Sequence, residues 1–261
     1  MIDKARKYWF GTVCFMLLLI VVFCIWCAPY RRSEKLIRYI EKQDADAVEE
    51  MLRSGVDPNV PTGPYEGGWK YLNSLLECAP RTPLAAACDT GNLEMVKLLL
   101  SYGASPAFTQ HENLGWSALS ETLFYFQPDD VAIVKQLIEN GVDPYCDEYR
   151  GEMPAFMAAR MTPKVFDATK ANGTVFATEY DEQTAKGITK IVLLLLGDES
   201  VKSTSPSGQS LLMLAAEEGN LYLVSYLMEQ GCDKTMVDNY GKTALDYAME
   251  KQHQEVIDLL K

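Results

Sequence analysis

Two patterns of apolar residues run along the chain, one continuous and one periodic. From Tyr8 to Ala28 (YWFGTVCFMLLLIVVFCIWCA) no side chain carries a formal charge. Coiled as a helix, these 21 residues rise about 31 Å, the span of a bilayer's hydrocarbon core. Tyr8, Trp9 and Trp26 sit at the ends, where amphipathic rings favour the membrane interface. Pro29 stops the helix, and Arg31 and Arg32 mark the return to water. Residues 8–28 are therefore predicted to be a single transmembrane helix behind a short basic tail, 1–7. A cleaved leader is disfavoured, because Trp26 takes the place of a small residue and Pro29 follows the junction directly.

The second pattern begins at Ser33. Arg81 to Pro106 and Gly208 to Lys234 both read small residue, two apolar residues, a small pair, Gly, an apolar stripe at helical spacing, then Gly. Gly208 recurs 33 residues on as Gly241, opening GKTALDYAMEKQHQEVIDLL. Such self-similarity predicts a repeat of helix pairs. Thr82 and its counterparts can cap exposed N–H groups, and Pro83 suits a first turn. Ala87, Ala158 and Ala215 permit close helix packing. Val96-Leu98-Leu99 and Val134-Leu137-Ile138 supply apolar seams. Gly103, Gly141 and Gly231 end helices where φ is predicted to be positive. One such unit cannot bury its seam alone; about six in a row can.

These residues resemble the ankyrin-repeat family, whose period is 33 and whose signature is T-P-L-H-x-A. Thr82-Pro83-Leu84-Ala85-Ala86-Ala87 is the nearest copy, followed by Thr243 to Ala248 and Ser210 to Ala215. Degenerate copies start at Ser117 and Met153. The Gly-Ala-Asp that closes a repeat appears as Gly55-Val56-Asp57, Gly103-Ala104-Ser105, Gly141-Val142-Asp143 and Gly231-Cys232-Asp233. No copy keeps the signature His. The resemblance implies an all-α, ankyrin-repeat solenoid of about six helix-turn-helix units over 33–261, preceded by the single transmembrane helix. Insertions interrupt the period at 61–80 and 160–186.

Charge narrows the partners. Residues 1–32 hold five basic side chains against Asp3 alone, so the remainder of a chain of net charge -12 carries -16. Such a domain repels nucleic acid and broad contact with an anionic bilayer, and favours a neutral or basic protein partner. The basic residues flanking the apolar run do not fix its orientation. Counting them slightly favours a cytosolic domain, yet that orientation drags the basic tail across the membrane. Long domains also translocate regardless of charge, so the repeats are placed on the extracytoplasmic side.

Chemistry is sparse. The two histidines, His111 and His253, bear no spacing relation to each other or to a cysteine. The seven cysteines form no CxxC pair. No nucleophile elbow, phosphate loop or dinucleotide fingerprint occurs. The expectation is no enzyme activity, no catalytic or cofactor-binding residue, no cofactor and no metal. The resemblance implies protein binding on the concave face, at hairpin tips and the exposed side of each first helix. Mapped by position, that face would hold Asp89, Thr90, Trp116, Tyr125, Tyr149, Arg150, Glu217, Glu218, Asn239 and Tyr240. The expected function is a membrane-anchored module binding a protein, as an inhibitor, an immunity-type antidote or a tether. The alternative is a structural or assembly factor of the envelope, acting through anchor and repeats.

Overall fold

The structure, a computed structural model, describes residues 31–60, 81–106, 117–127, 129–145, 153–166, 174–176, 182–196 and 203–261, with backbone alone for 125, 162–166 and 174–176. The apolar run 8–28 and the whole 61–80 insertion lie outside them. Among the described residues no helix is long and apolar enough to cross a membrane.

Helices come in six pairs among the described residues. The first helices are α1 (31–41), α3 (Pro83–Asp89), α5 (Ala118–Thr122), α7 (Pro154–Ala159), α9 (Leu211–Glu218) and α11 (Ala244–Lys251). Their partners are α2 (Ala45–Arg53), α4 (Leu93–Ser101), α6 (Asp130–Glu139), α8 (Glu182–Leu196), α10 (Leu221–Glu229) and α12 (Gln254–Leu260). From α3 onward each first helix packs on the next first helix, and from α4 each second helix on the next second helix. The chain is therefore a linear stack of helix pairs, as the repeat predicts.

The starts of the first helices follow the sequence closely. Thr82, Ser117, Ser210 and Thr243 each accept a hydrogen bond from the backbone N–H three residues on, from Ala85, Ser120, Met213 and Asp246. Pro83 and Pro154 occupy first-turn positions where no N–H is required. Ala87, Ala158 and Ala215 are wholly buried, so neighbouring helices approach closely. Gly103, Gly141 and Gly231 have φ of 85°, 96° and 75°, the left-handed conformation their repeat position predicts.

One inter-unit contact repeats in register. At the start of the third unit's second helix, Gln127 Nε2 donates to the carbonyl of Asp89 at 2.7 Å. Three units further on, at the start of the sixth unit's second helix, His253 Nε2 lies 3.0 Å from the carbonyl of Glu217. Each side chain satisfies a carbonyl left over at the end of the preceding first helix. A Cβ on Gly91 would meet Gln127 at 2.6 Å, and one on Gly219 would meet His253 at 2.6 Å. Glycine at both positions thus serves the turn and the bond together.

The fourth unit departs from the pattern. Its second helix begins at Glu182, so the inserted segment closes there and not at 186. The insertion contributes β2 (Thr162–Phe166) and β3 (Thr174–Phe176), which pair antiparallel. Strand β2 also pairs in parallel with β1, Tyr125–Phe126, in the third unit. The solenoid itself stays helical, and this small sheet is grafted beside it. Phe126 reaches across to α8, where a Cβ on Gly187 would lie 2.4 Å from the ring.

Two stability predictions follow from these positions. Replacing Gly187 by Ala should lower stability by about 1–3 kcal/mol through overpacking against Phe126, despite the better helix propensity. Urea denaturation of the two proteins checks this. Gln252 ends α11 with φ of 63°, where the second and fifth units use glycine. Gln252→Gly should raise stability by about 1 kcal/mol by relieving that left-handed strain, seen as a higher urea midpoint with an unchanged slope.

Candidate protein-binding surface

The first helices line one face of the stack, and their side chains form a ladder. In the second unit Arg81, just ahead of the Thr82 cap, runs along α3 to Asp89 at its far end, 2.8 Å away. In the sixth unit Lys242, just ahead of the Thr243 cap, reaches Glu250 in the same manner at 2.7 Å. Both pairs span eight residues, the length of one first helix. Gln209 holds the equivalent place in the fifth unit, accepting from Arg160 Nη2 at 2.8 Å and from Ser207 at 3.1 Å.

Arg81 also ties units together. Its Nε lies 3.3 Å from Glu121 on α5, and its Nη1 3.9 Å from Glu41 at the end of α1. Burial works against its charge, but Glu121, Asp89 and Glu41 outweigh that and raise its pKa. One guanidinium therefore serves three carboxylates on three successive first helices.

The sixth hairpin is held from inside. Asp238 is buried; its Oδ1 accepts from the N–H groups of Tyr240 and Lys242, each at 2.9 Å. Its Oδ2 accepts from the Tyr247 hydroxyl on α11 at 2.6 Å. Asn239 bonds back to the fifth hairpin, through its N–H to the Ser207 carbonyl at 3.2 Å. With the backbone so fixed, Tyr240 projects 78% exposed, and Val237 beside it is 56% exposed.

The expected surface residues fall into three groups. Asp89, Glu217 and Tyr240 lie on the first-helix face or its tips, with Asp89 already paired to Arg81 and Glu217 3.8 Å from Lys251. Thr90, Glu218 and Asn239 accompany them. Thr90 is half-buried and donates to the Ala87 carbonyl. Trp116, Tyr149 and Arg150 lie outside the described residues. Tyr125 is a correction: its repeat position predicts the exposed side of a first helix, yet α5 ends at Thr122 and Tyr125 belongs to β1. The third unit lacks the turn glycine that Gly91 and Gly219 supply, and Pro128 biases residue 127 away from helix. Pairing with β2 then draws residues 125–126 into a strand. The Arg81 clamp and the Asp238 lock were missed, because both depend on residues ahead of the motif that no local pattern marks.

Among the described residues no group of three or more His, Cys, Asp or Glu is placed to hold a metal ion. Cys88 is fully buried, and burial pushes its thiol up to about 12, so it stays protonated. His253 spends its ring nitrogen on the Glu217 carbonyl. The arrangement offers recognition by fixed charges and an exposed ring.

A family profile described as "Ankyrin repeats (3 copies)" matches residues 36–148 and 183–261, well over half of the chain. The chain belongs to the ankyrin-repeat family. Similar proteins include an ankyrin repeat and KH domain-containing protein of Caenorhabditis briggsae, 28% identical over 69% of this chain and 6% of its own length. A human NAD-capped RNA hydrolase is 34% identical over 32% of this chain and 18% of its own. A zebrafish (Danio rerio) ankyrin repeat and SAM domain-containing protein is 28% identical over 67% of this chain and 24% of its own. The chain thus spans a quarter or less of these relatives, and what they share with it is the ankyrin repeats. A solved ankyrin-like neighbour comes from the complex of a predatory endopeptidase of Bdellovibrio bacteriovorus with an immunity protein. It aligns with a TM-score of 0.58 at 22% identity, covering 86% of this chain and 95% of that one.

Asp238 generates a pH prediction. Its pKa lies below the ordinary carboxylate value, chiefly through the Tyr247 hydrogen bond and against its burial. A depressed folded-state pKa gives stability that is complete above the unfolded value, about 3.9. That stability fades as the pH falls further, through the depressed value. Asp238→Asn should lower Tm at pH 7, and the gap from the parent should close as the pH drops below about 4. Thermal melts across that range check it.

Proposed function

We propose that this chain is a protein-binding module held at a membrane by residues 8–28, with its repeats on the extracytoplasmic side. It binds one neutral or basic protein client on the first-helix face, as an inhibitor, an immunity-type antidote or a tether, and performs no catalysis. The observation that carries this reading is Tyr240. A ring left 78% exposed on a tip locked by Asp238 and Asn239 is a rigid anchor, and rigid aromatics concentrate binding energy at interfaces. The ladder of fixed ion pairs beside it supplies charge selectivity. Family membership supports protein recognition as the role. The endopeptidase and immunity complex of the structural neighbour suggests a class of client worth trying, although its 22% identity speaks for the fold alone.

The test is capture. Crosslinking in native membranes, followed by purification of the full chain, should recover a specific client. Alanine at Trp116 and Tyr240 together should weaken its binding by about 2 kcal/mol or more. Capture unchanged by the double substitution would exclude this face as the binding surface.

A further inference from the structure

Helix α1 is amphipathic in an unusual sense. Its buried side is Ser33, Leu36, Ile37 and Ile40. Its exposed side is Arg31, Lys35, Arg38 and Lys42, spaced i, i+4, i+7 and i+11 across the helix and its last turn. At about 100° per residue, these four fall within an arc of about 60°, directly opposite the buried side. The acids of this segment stand away from that arc. Glu34 is half-buried, and Glu41 turns toward Arg81, 3.9 Å away. Lys35 lies 5.6 Å from the ring centre of Tyr39 on the same helix and remains exposed.

This basic edge belongs to a chain that is otherwise strongly acidic. Residues 43–261 hold 16 Lys and Arg against 33 Asp and Glu, a balance of -17. Positive charge is thus gathered at the first helix of the stack, on its outward side. In the sequence only Pro29 and Tyr30 lie between the 21-residue apolar run and Arg31. If that run spans a bilayer, two residues of about 3.3–3.6 Å each cannot carry α1 clear of the headgroups.

We infer that the outward face of α1, carried by Arg31, Lys35, Arg38 and Lys42, docks on the anionic headgroups of the membrane that holds the chain. This rests on the anchor proposed above for residues 8–28. Charge complementarity selects anionic lipid, and attraction of this kind decays within a Debye length of about 8–10 Å. Helices pack about 8–10 Å apart, so contact through α1 alone keeps the acidic units at the margin of that range or beyond it. The bilayer would be met by one edge of the stack, leaving the first-helix face and Tyr240 free for a protein. Broad contact with the bilayer is unfavourable for the whole domain; edge-on contact through α1 is favourable.

Lysine footprinting tests this with the full chain reconstituted in lipid nanodiscs. One set is made of phosphatidylcholine alone, the other of phosphatidylcholine with about one third phosphatidylglycerol, chosen for the surface charge that the contact requires. Acetylation by an amine-reactive ester is followed by mass spectrometry at Lys35 and Lys42, with exposed Lys135 and Lys261 as references. The expected result is at least fivefold slower modification of Lys35 and Lys42 in anionic discs, unchanged references, and recovery in 1 M salt. Equal rates in the two disc types overturn the contact while leaving the anchor standing. A chain that does not stay with the discs at all overturns anchor and contact together. The variant Arg31→Glu/Arg38→Glu, shown to be folded by circular dichroism, should lose the difference between discs; a difference that persists in it also overturns the assignment.

Discussion

No helix pair in this chain can bury its own apolar seam, and the whole architecture answers that shortage. Leu84, Leu99, Leu119, Leu137, Leu212 and Leu227 are almost fully buried although each belongs to a short helix with little core of its own. Burying such a side chain stabilises by roughly 1.5–3 kcal/mol, and here that burial comes from the adjacent unit. The same dependence explains why polar contacts between units recur in register. Gln127 on the Asp89 carbonyl and His253 on the Glu217 carbonyl each close a helix end that the stack has removed from water. Stability in this arrangement is transmitted from neighbour to neighbour, so a fault in one unit loosens the units on both sides of it.

The repeats were legible because their determinants are local. A Thr or Ser that caps its own helix, a Pro in a first turn and a Gly that must turn left act within a few residues. Their spacing therefore survives as a pattern. The β1–β2 pairing was not legible, since it joins the third unit to an insertion nearly forty residues later and leaves no periodic trace. Gly187 could not be understood from sequence either. In a helix it reads as a weak point, and only the approach of Phe126 shows why a side chain is excluded. Of the expected surface, Asp89, Glu217 and Tyr240 followed from register alone. Tyr125 failed where register failed, because the third unit lacks the turn glycine on which the mapping depended.

Electrostatics divides the molecule by role. Within the stack, opposite charges are matched closely enough to fix geometry: Arg81 among Glu41, Asp89 and Glu121, and Lys242 against Glu250. Such partly exposed pairs add little to stability one by one. What they add is a surface whose charges are already positioned before a partner arrives, which lowers the ordering cost of binding. Tyr240 follows the same logic in apolar form, since Asp238 immobilises the tip beneath it.

Arg81 shows how far this positioning constrains the binding face. Three carboxylates converge on one guanidinium, so negative charge outnumbers positive among the described ion pairs of this cluster. On the proposed reading, a client approaching the second and third units would meet this acidic surface. If this face binds a protein as proposed, its charge would disfavour acidic clients before any shape is tested. The -17 carried by residues 43–261 would extend that preference over the rest of the repeats.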